Sequence, residues 1–233
     1  MSGLEGAHGP GERLVAPETG RDVGPEAPEE RVLSPEEGYE VLRRLTSPLV
    51  AVTCRLGEKL NGMVANSAIR ASLVPGQQRV ALYVFKRHLT HEIMARTGRF
   101  VLHLLSRDQW DEIWALGFDT GRGRDKLDGL PYRLSREDGL PILTRCWAWM
   151  ECRVINVMDT GSSTFFMGQA LRMGRGSGGE LMDSGYFREH MPEEWGEVYL
   201  RNLREAQRMS AAMPEMDDRP WRELNARAMS ETG

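Results

Sequence analysis

Five short runs rich in β-branched and aromatic residues, separated by brief helical stretches, set the strongest limit on how this chain folds. They lie at residues 49–54, 80–85, 100–105, 146–158 and 164–172, and turn or charged residues interrupt them. A parallel sheet needs a long crossover, usually a helix, between successive strands, and this spacing leaves no room for a series of them. The pattern is that of a small antiparallel barrel, so the fold class is mainly β.

The helical signals are local and terminate early. Ser34-Pro35-Glu36-Glu37 opens a helix, with serine as cap, proline at the first position and two acids facing the positive end. Tyr39, Val41, Leu42 and Leu45 give it an apolar face, and Pro48 closes it. Thr90 caps a second, short helix that runs to Arg96 and stops at Gly98. Ser106-Arg107-Asp108-Gln109 has capping-box spacing ahead of Trp110, Ile113 and Trp114, with Gly117 at the stop. Residues 118–140 are Gly, Asp and Arg in an irregular loop of a length that in compact domains usually carries function. Residues 192–213 return to helix, with Trp195, Val198, Tyr199 and Leu203 on one face that must dock on something. Residues 1–33 hold six glycines and four prolines without apolar periodicity and read as a disordered tail. The expected organisation is therefore a tail at 1–33, a barrel domain at 34–179 and a helical extension at 180–233.

Composition excludes several classes. The 233 residues carry a formal charge of −4, which argues against a generally basic nucleic-acid binder. No apolar stretch approaches the roughly 20 residues of a membrane helix, and the N-terminus lacks a secretory pattern. Cys54, Cys146 and Cys152 are too few for a disulfide scaffold and read as buried packing; a cytoplasmic location is expected.

Three motifs bear on chemistry. Phe85-Lys86-Arg87-His88-Leu89-Thr90 places cations where a strand hands over to a helix start, whose free N–H groups favour phosphate, although Glu92 in the first turn competes. Asn61-Gly62-Met63-Val64-Ala65-Asn66-Ser67 is small enough to leave backbone amides open to a flat ligand; an ordinary hairpin at Asn-Gly is the simpler alternative. Gly174-Arg175-Gly176-Ser177-Gly178-Gly179 contains GxGxxG, but no βαβ unit surrounds it. His88 and His91 lack the companions of a zinc set.

The order of these pieces resembles the flavin reductase-like family, whose fold is the FMN-binding split β-barrel, antiparallel and Greek-key, with short peripheral helices. The resemblance is carried by residues 49–53, by 61–67, by Thr90-His91-Glu92-Ile93 with Gly98-Arg99-Phe100 and Leu104-Leu105-Ser106. Asp125-Lys126-Leu127, residues 148–154, and Asp159-Thr160-Gly161 leading to Phe165-Phe166-Met167-Gly168 continue it in the same order. It implies a homodimer that holds FMN near the subunit interface. The ring would lie against Met63, Val64, Ala65, Asn66 and Ser67, and the phosphate near Lys86, Arg87 and Thr90; Lys126 belongs to the same cofactor set. NAD(P)H would supply the hydride, with Ser162 and Ser163 beside the nicotinamide. The flavin would perform the hard chemistry, so no catalytic side chain is implied.

The sequence departs from the family at Val64, where a threonine is usual, at Leu127, where phenylalanine is common, and at Ser162 and Ser163, where an acid and a histidine commonly stand. The leading expectation is an NAD(P)H:flavin reductase, a reducing partner of a monooxygenase or another electron acceptor. The departure at Ser162 and Ser163 motivates the second, an FMN-binding electron carrier or storage module without NAD(P)H turnover. A barrel without flavin, or one holding haem through His88, His91 or His103, is the third.

Overall fold

The computed structural model describes Ser34, Glu37, Val41 and residues 48–213. The chain forms two compact units, residues 1–43 and 44–233. In the first, Ser34 and Glu37 exchange hydrogen bonds: the Ser34 N–H donates to Glu37 Oε2 at 2.9 Å and the Glu37 N–H to Ser34 Oγ at 3.2 Å. The serine cap is as expected, and Glu37 returns the bond to make the cap reciprocal. The tail expected at 1–33 lies outside the described residues.

The second unit is built on a seven-stranded antiparallel sheet. Its strands are β1 (Val50–Leu56), β2 (Lys59–Ala65), β3 (Ala68–Arg70), β4 (Arg79–Phe85), β5 (Arg99–Leu104), β8 (Ala148–Asp159) and β9 (Ser163–Arg175). They lie in the order β2-β1-β5-β8-β9-β4-β3, so β2 and β3 form the two ends of a curled half-barrel. A two-stranded ribbon, β6 (Tyr132–Leu134) and β7 (Pro141–Leu143), stands apart from this sheet. The helices of this unit are α1 (Leu89–Thr97), α2 (Trp110–Gly117), α3 (Ser184–His190) and α4 (Gly196–Ala211), with a 3₁₀ turn at Glu193–Trp195.

β1 shows why its sequence is apolar without alternation. Val50, Val52 and Cys54 face the barrel interior with Leu82, Phe100, Leu102 and Phe166. Ala51, one residue out of phase, packs on the other face with Leu105, Ile113, Leu116 and Leu127. Both faces are covered, so period-two patterning disappears. Burying each large side chain of this core contributes about 1.5–3 kcal/mol. On β5, Val101 joins Leu140 and Ile142. His103 beside it is fully buried, its Nδ1 paired with Ala51 O at 3.2 Å while its Nε2 accepts from the Leu143 N–H at 3.1 Å.

The sequence expectations meet the structure unevenly. The Asn61-Gly62 pair lies inside β2, and the hairpin turns instead at Gly57 (φ 57°), because Leu56 pairs with Lys59. Thr90 sits inside α1 rather than capping it; His88 holds the cap position without a side-chain bond. Gly98 ends α1 as expected, in the left-handed conformation (φ 63°) that a Cβ would disfavour. At Ser106 only half of the capping box forms, Gln109 Oε1 accepting from the Ser106 N–H at 3.0 Å. Helix α3, capped by Asp183, carried no recognised signal. Cys54, Cys146 and Cys152 are all buried and free.

Candidate functional site

β4 ends at Phe85, and the chain crosses a three-residue turn into α1. Phe85, Arg87 and His88 line a cavity of about 510 Å³, and Lys86 does not. Lys86 instead donates from its backbone N–H to Ser162 O at 3.0 Å and from Nζ to both Asp159 oxygens at 2.7 and 2.9 Å. Ser163 pairs with Phe85 in the β4–β9 ladder, so Lys86, Ser162 and Ser163 form a separate corner.

The cavity floor comes from β2. Asn61, Gly62, Met63 and Val64 line it, whereas Ala65, Asn66 and Ser67 do not. Asn61 is 2% exposed and its amide donates to Thr90 Oγ1, itself buried, at 2.8 Å. Its Oδ1 is buried without a hydrogen-bond donor among the described residues. The backbone of Gly121 covers that oxygen so closely that a Cβ there would stand 1.9 Å from it, which is why this loop position requires glycine.

The end of α2 and the loop after it form the next wall: Leu116, Gly117, Phe118 and residues 119–122. Lys126, only 4% exposed, reaches back to donate to the Leu116 carbonyl at the end of α2. Burial lowers its pKa to about 8, with Arg124 adding to the effect and Asp119 opposing it. Desolvation, together with Lys126 and His91, lowers the pKa of the His88 ring to about 4, so the ring is neutral at pH 7.

Arg122 answers the problem of Glu92. Its guanidinium pairs with the Glu92 carboxylate and donates to the Arg87 carbonyl at 3.2 Å. The hydrogen bond from Arg122 to the Glu92 carboxylate holds that group below the usual carboxylate range. The acid in the first turn of α1 is thus neutralised, and the helix start regains its attraction for an anion.

The remaining wall is α4, through Asn202, Glu205, Ala206 and Met209. No residue of α4 is buried. The helix is anchored at its start, where Trp195 packs on Trp114 (4.8 Å between ring centroids), Phe118 (5.1 Å) and Trp110 (5.8 Å). Tyr199 adds contacts to Phe118 and Phe187. This is the docking that the amphipathic spacing of residues 192–213 demanded.

The structure therefore brings Met63, Val64, Arg87, Thr90 and Lys126 to one cavity. Asn61, Phe118, Arg122 and the α4 residues belong to it without having been selected as ligands from sequence. Only the amphipathic face of α4 signalled its own contribution; Arg122 is one arginine among many. Among the histidines, His103 has both ring nitrogens committed, and His91 Nε2 is paired with Thr164 Oγ1 at 2.8 Å.

The model of the flavin reductase like domain matches residues 42–193. The chain belongs to that family. An FMN reductase (NADH) of Agrobacterium fabrum is 31% identical over 144 residues, 62% of this chain and 79% of that protein. A high molecular weight rubredoxin of Moorella thermoacetica is 32% identical over 152 residues, and this chain spans 65% of its length. Among solved structures, an NADH:FAD oxidoreductase of Streptomyces globisporus superposes with a TM-score of 0.55 at 24% identity, covering 64% of this chain and 89% of that one. An FMN-binding protein of Thermus thermophilus gives 0.55 at 22% identity, covering 64% and 80%. Both share the fold, and α4 lies beyond the span that the family model matches.

Proposed function

We propose that the protein is an FMN-dependent NAD(P)H:flavin oxidoreductase, with the flavin held in the cavity between β2, α1, α2 and α4. The observation that carries this is the lining itself. Met63, Val64, Leu116 and Phe118 supply apolar surface for a flat ring, while Arg87, the start of α1, Thr90 and Lys126 supply convergent polar groups for its charged and polar ends. That combination fits FMN. Arg87 would hold the phosphate at the helix start, with Arg122 keeping Glu92 out of competition. Lys126, with N–H groups beyond the one given to Leu116, would donate to a ligand oxygen. Bound FMN supplies the acceptor for a hydride from NAD(P)H, and the chain's part is to place the ring, hold its phosphate and limit water through α4.

A homodimer completes this reading. Tyr83 (42% exposed) on β4, with Ile155 (42%), Val157 (54%) and Met158 (48%) on β8, leaves apolar surface on the two strands that flank β9. Such a patch suits burial against a second copy. The acceptor proposed for the electrons is a flavin-using monooxygenase or a comparable electron carrier.

One observation favours a second reading, an FMN-binding electron carrier without NAD(P)H turnover: Ser162 and Ser163 stand away from the cavity and carry no ionisable group for a nicotinamide. An anaerobic titration of the FMN-saturated protein with NADH and then NADPH separates the two. Bleaching of the oxidised-flavin absorption much faster than with free FMN supports the reductase. A bound flavin that stays oxidised selects the carrier, and a protein that binds no flavin removes both.

A further inference from the structure

A second cavity, of about 630 Å³, shares no lining residue with the first. Its floor is the end of the barrel core: Val50, Ala68, Val80, Leu102 and Met150, each at most 8% exposed. The connection from β3 to β4 adds Leu73 and Val74, which are 83% and 53% exposed. Apolar side chains of this kind gain by being covered.

The charge at this cavity has one sign. Arg70 and Arg79 line it, and no aspartate or glutamate does. Arg70 pairs with Val80 and follows Ala68 by two residues, so it shares the inward face of the sheet with those two core residues. Arg79 bonds to the neutral amide oxygens of Gln169 at 3.4 Å and Gln77 at 3.2 Å. Among the described residues neither guanidinium is paired with a carboxylate. An apolar chamber with an unneutralised, inward-facing arginine at its mouth is complementary to a ligand with the opposite pattern.

We propose that this cavity binds a free amphipathic carboxylate, an apolar tail or aryl body in the barrel end with its carboxyl group at Arg70. The apolar body covers Leu73 and Val74, and the carboxylate supplies the countercharge that the protein lacks there. The site is independent of the flavin cavity, so the ligand binds with FMN present or absent.

The probe is laurate, followed by isothermal titration against the purified full chain, with dodecyltrimethylammonium as a tail of equal length and opposite charge. Laurate is expected to saturate one site per chain and to bind about tenfold or more tightly than the cation, the scale of a charge-assisted hydrogen bond. Arg70→Glu is expected to abolish that preference and Arg70→Lys to retain part of it, both leaving FMN affinity unchanged. Leu73→Asp, on the exposed roof, is expected to weaken laurate without burying a charge, and keeps the test open should Arg70→Glu not fold. Equal binding of both detergents, or laurate binding indifferent to Arg70→Glu and Leu73→Asp, overturns the proposal. Arg70 would then serve only to keep the edge strand β3 from pairing. A wild-type dimer that dissociates on Arg70→Glu while laurate never binds overturns it too, assigning this face to a second copy.

Discussion

Replacing Lys126 by methionine separates the two things this residue does. The residue is 4% exposed, and burial lowers its pKa from 10.5 to about 8. At about 1.36 kcal/mol per pKa unit, keeping it charged at pH 7 costs the folded state about 3 kcal/mol. Methionine fills similar volume without that cost, but it leaves the Leu116 carbonyl short of a donor, a loss of about 1–3 kcal/mol. The flavin-free variant is therefore expected to be as stable as the parent or up to about 2 kcal/mol more stable. FMN affinity is expected to fall about tenfold or more, because a charged donor to the ligand is gone. The pH dependence fixes the sign. Between about pH 8 and 10.5 the unfolded chain binds a proton at this lysine that the folded chain has released, so stability rises with pH across that window. Subtracting urea denaturation curves of the Lys126→Met variant from those of the parent isolates this rise from the titration of other groups. A variant that binds FMN as tightly as the parent, and is less stable by more than about 2 kcal/mol, would refute the assignment and leave Lys126 a structural brace.

Three other outcomes are expected. Arg87→Ala should weaken FMN by about 1.5–3 kcal/mol in a fluorescence titration, whereas Lys86→Ala, whose charge is spent on Asp159, should change it by less than about 1 kcal/mol; equal effects would return Lys86 to the site. His103 is held neutral, its pKa lowered to about 3, so stability should be lost as pH falls below the unfolded value of 6.5 at up to about 1.4 kcal/mol per pH unit. Its ring should show no NMR titration near 6.5 in the folded protein; one that titrates there contradicts the burial argument. Trp195→Ala should speed FMN release in a stopped-flow dilution while costing only about 1–2 kcal/mol of stability, because it frees a helix with no buried residue of its own; an unchanged release rate would remove α4 as a cover.

What the sequence determines by itself is what depends on near neighbours. Strands β1, β4, β5, β8 and β9 are legible because β-branched runs and turn residues act within a few positions, whereas β2, β3, β6 and β7 carry no such run; the ends of α1 and α2 follow from Gly98 and from the residues around Ser106. The order of motifs along the chain resembles one family, and the same motifs point to Met63, Val64, Arg87, Thr90 and Lys126. The tertiary structure decides which neighbours in sequence part company. Lys86 and Arg87 are adjacent, yet one is tied to Asp159 across the sheet and the other lines the cavity, a choice set by the β4–β9 register and invisible to composition. Asn61-Gly62 looks like a turn and is a strand interior, because the turn at Gly57 fixes the register and Thr90 gives the asparagine a buried partner. Arg122 neutralises an acid thirty positions away, and α4 closes a cavity whose floor lies in β2. Contacts so distant in sequence leave no periodic trace; only the folded chain brings those groups within hydrogen-bonding or packing distance.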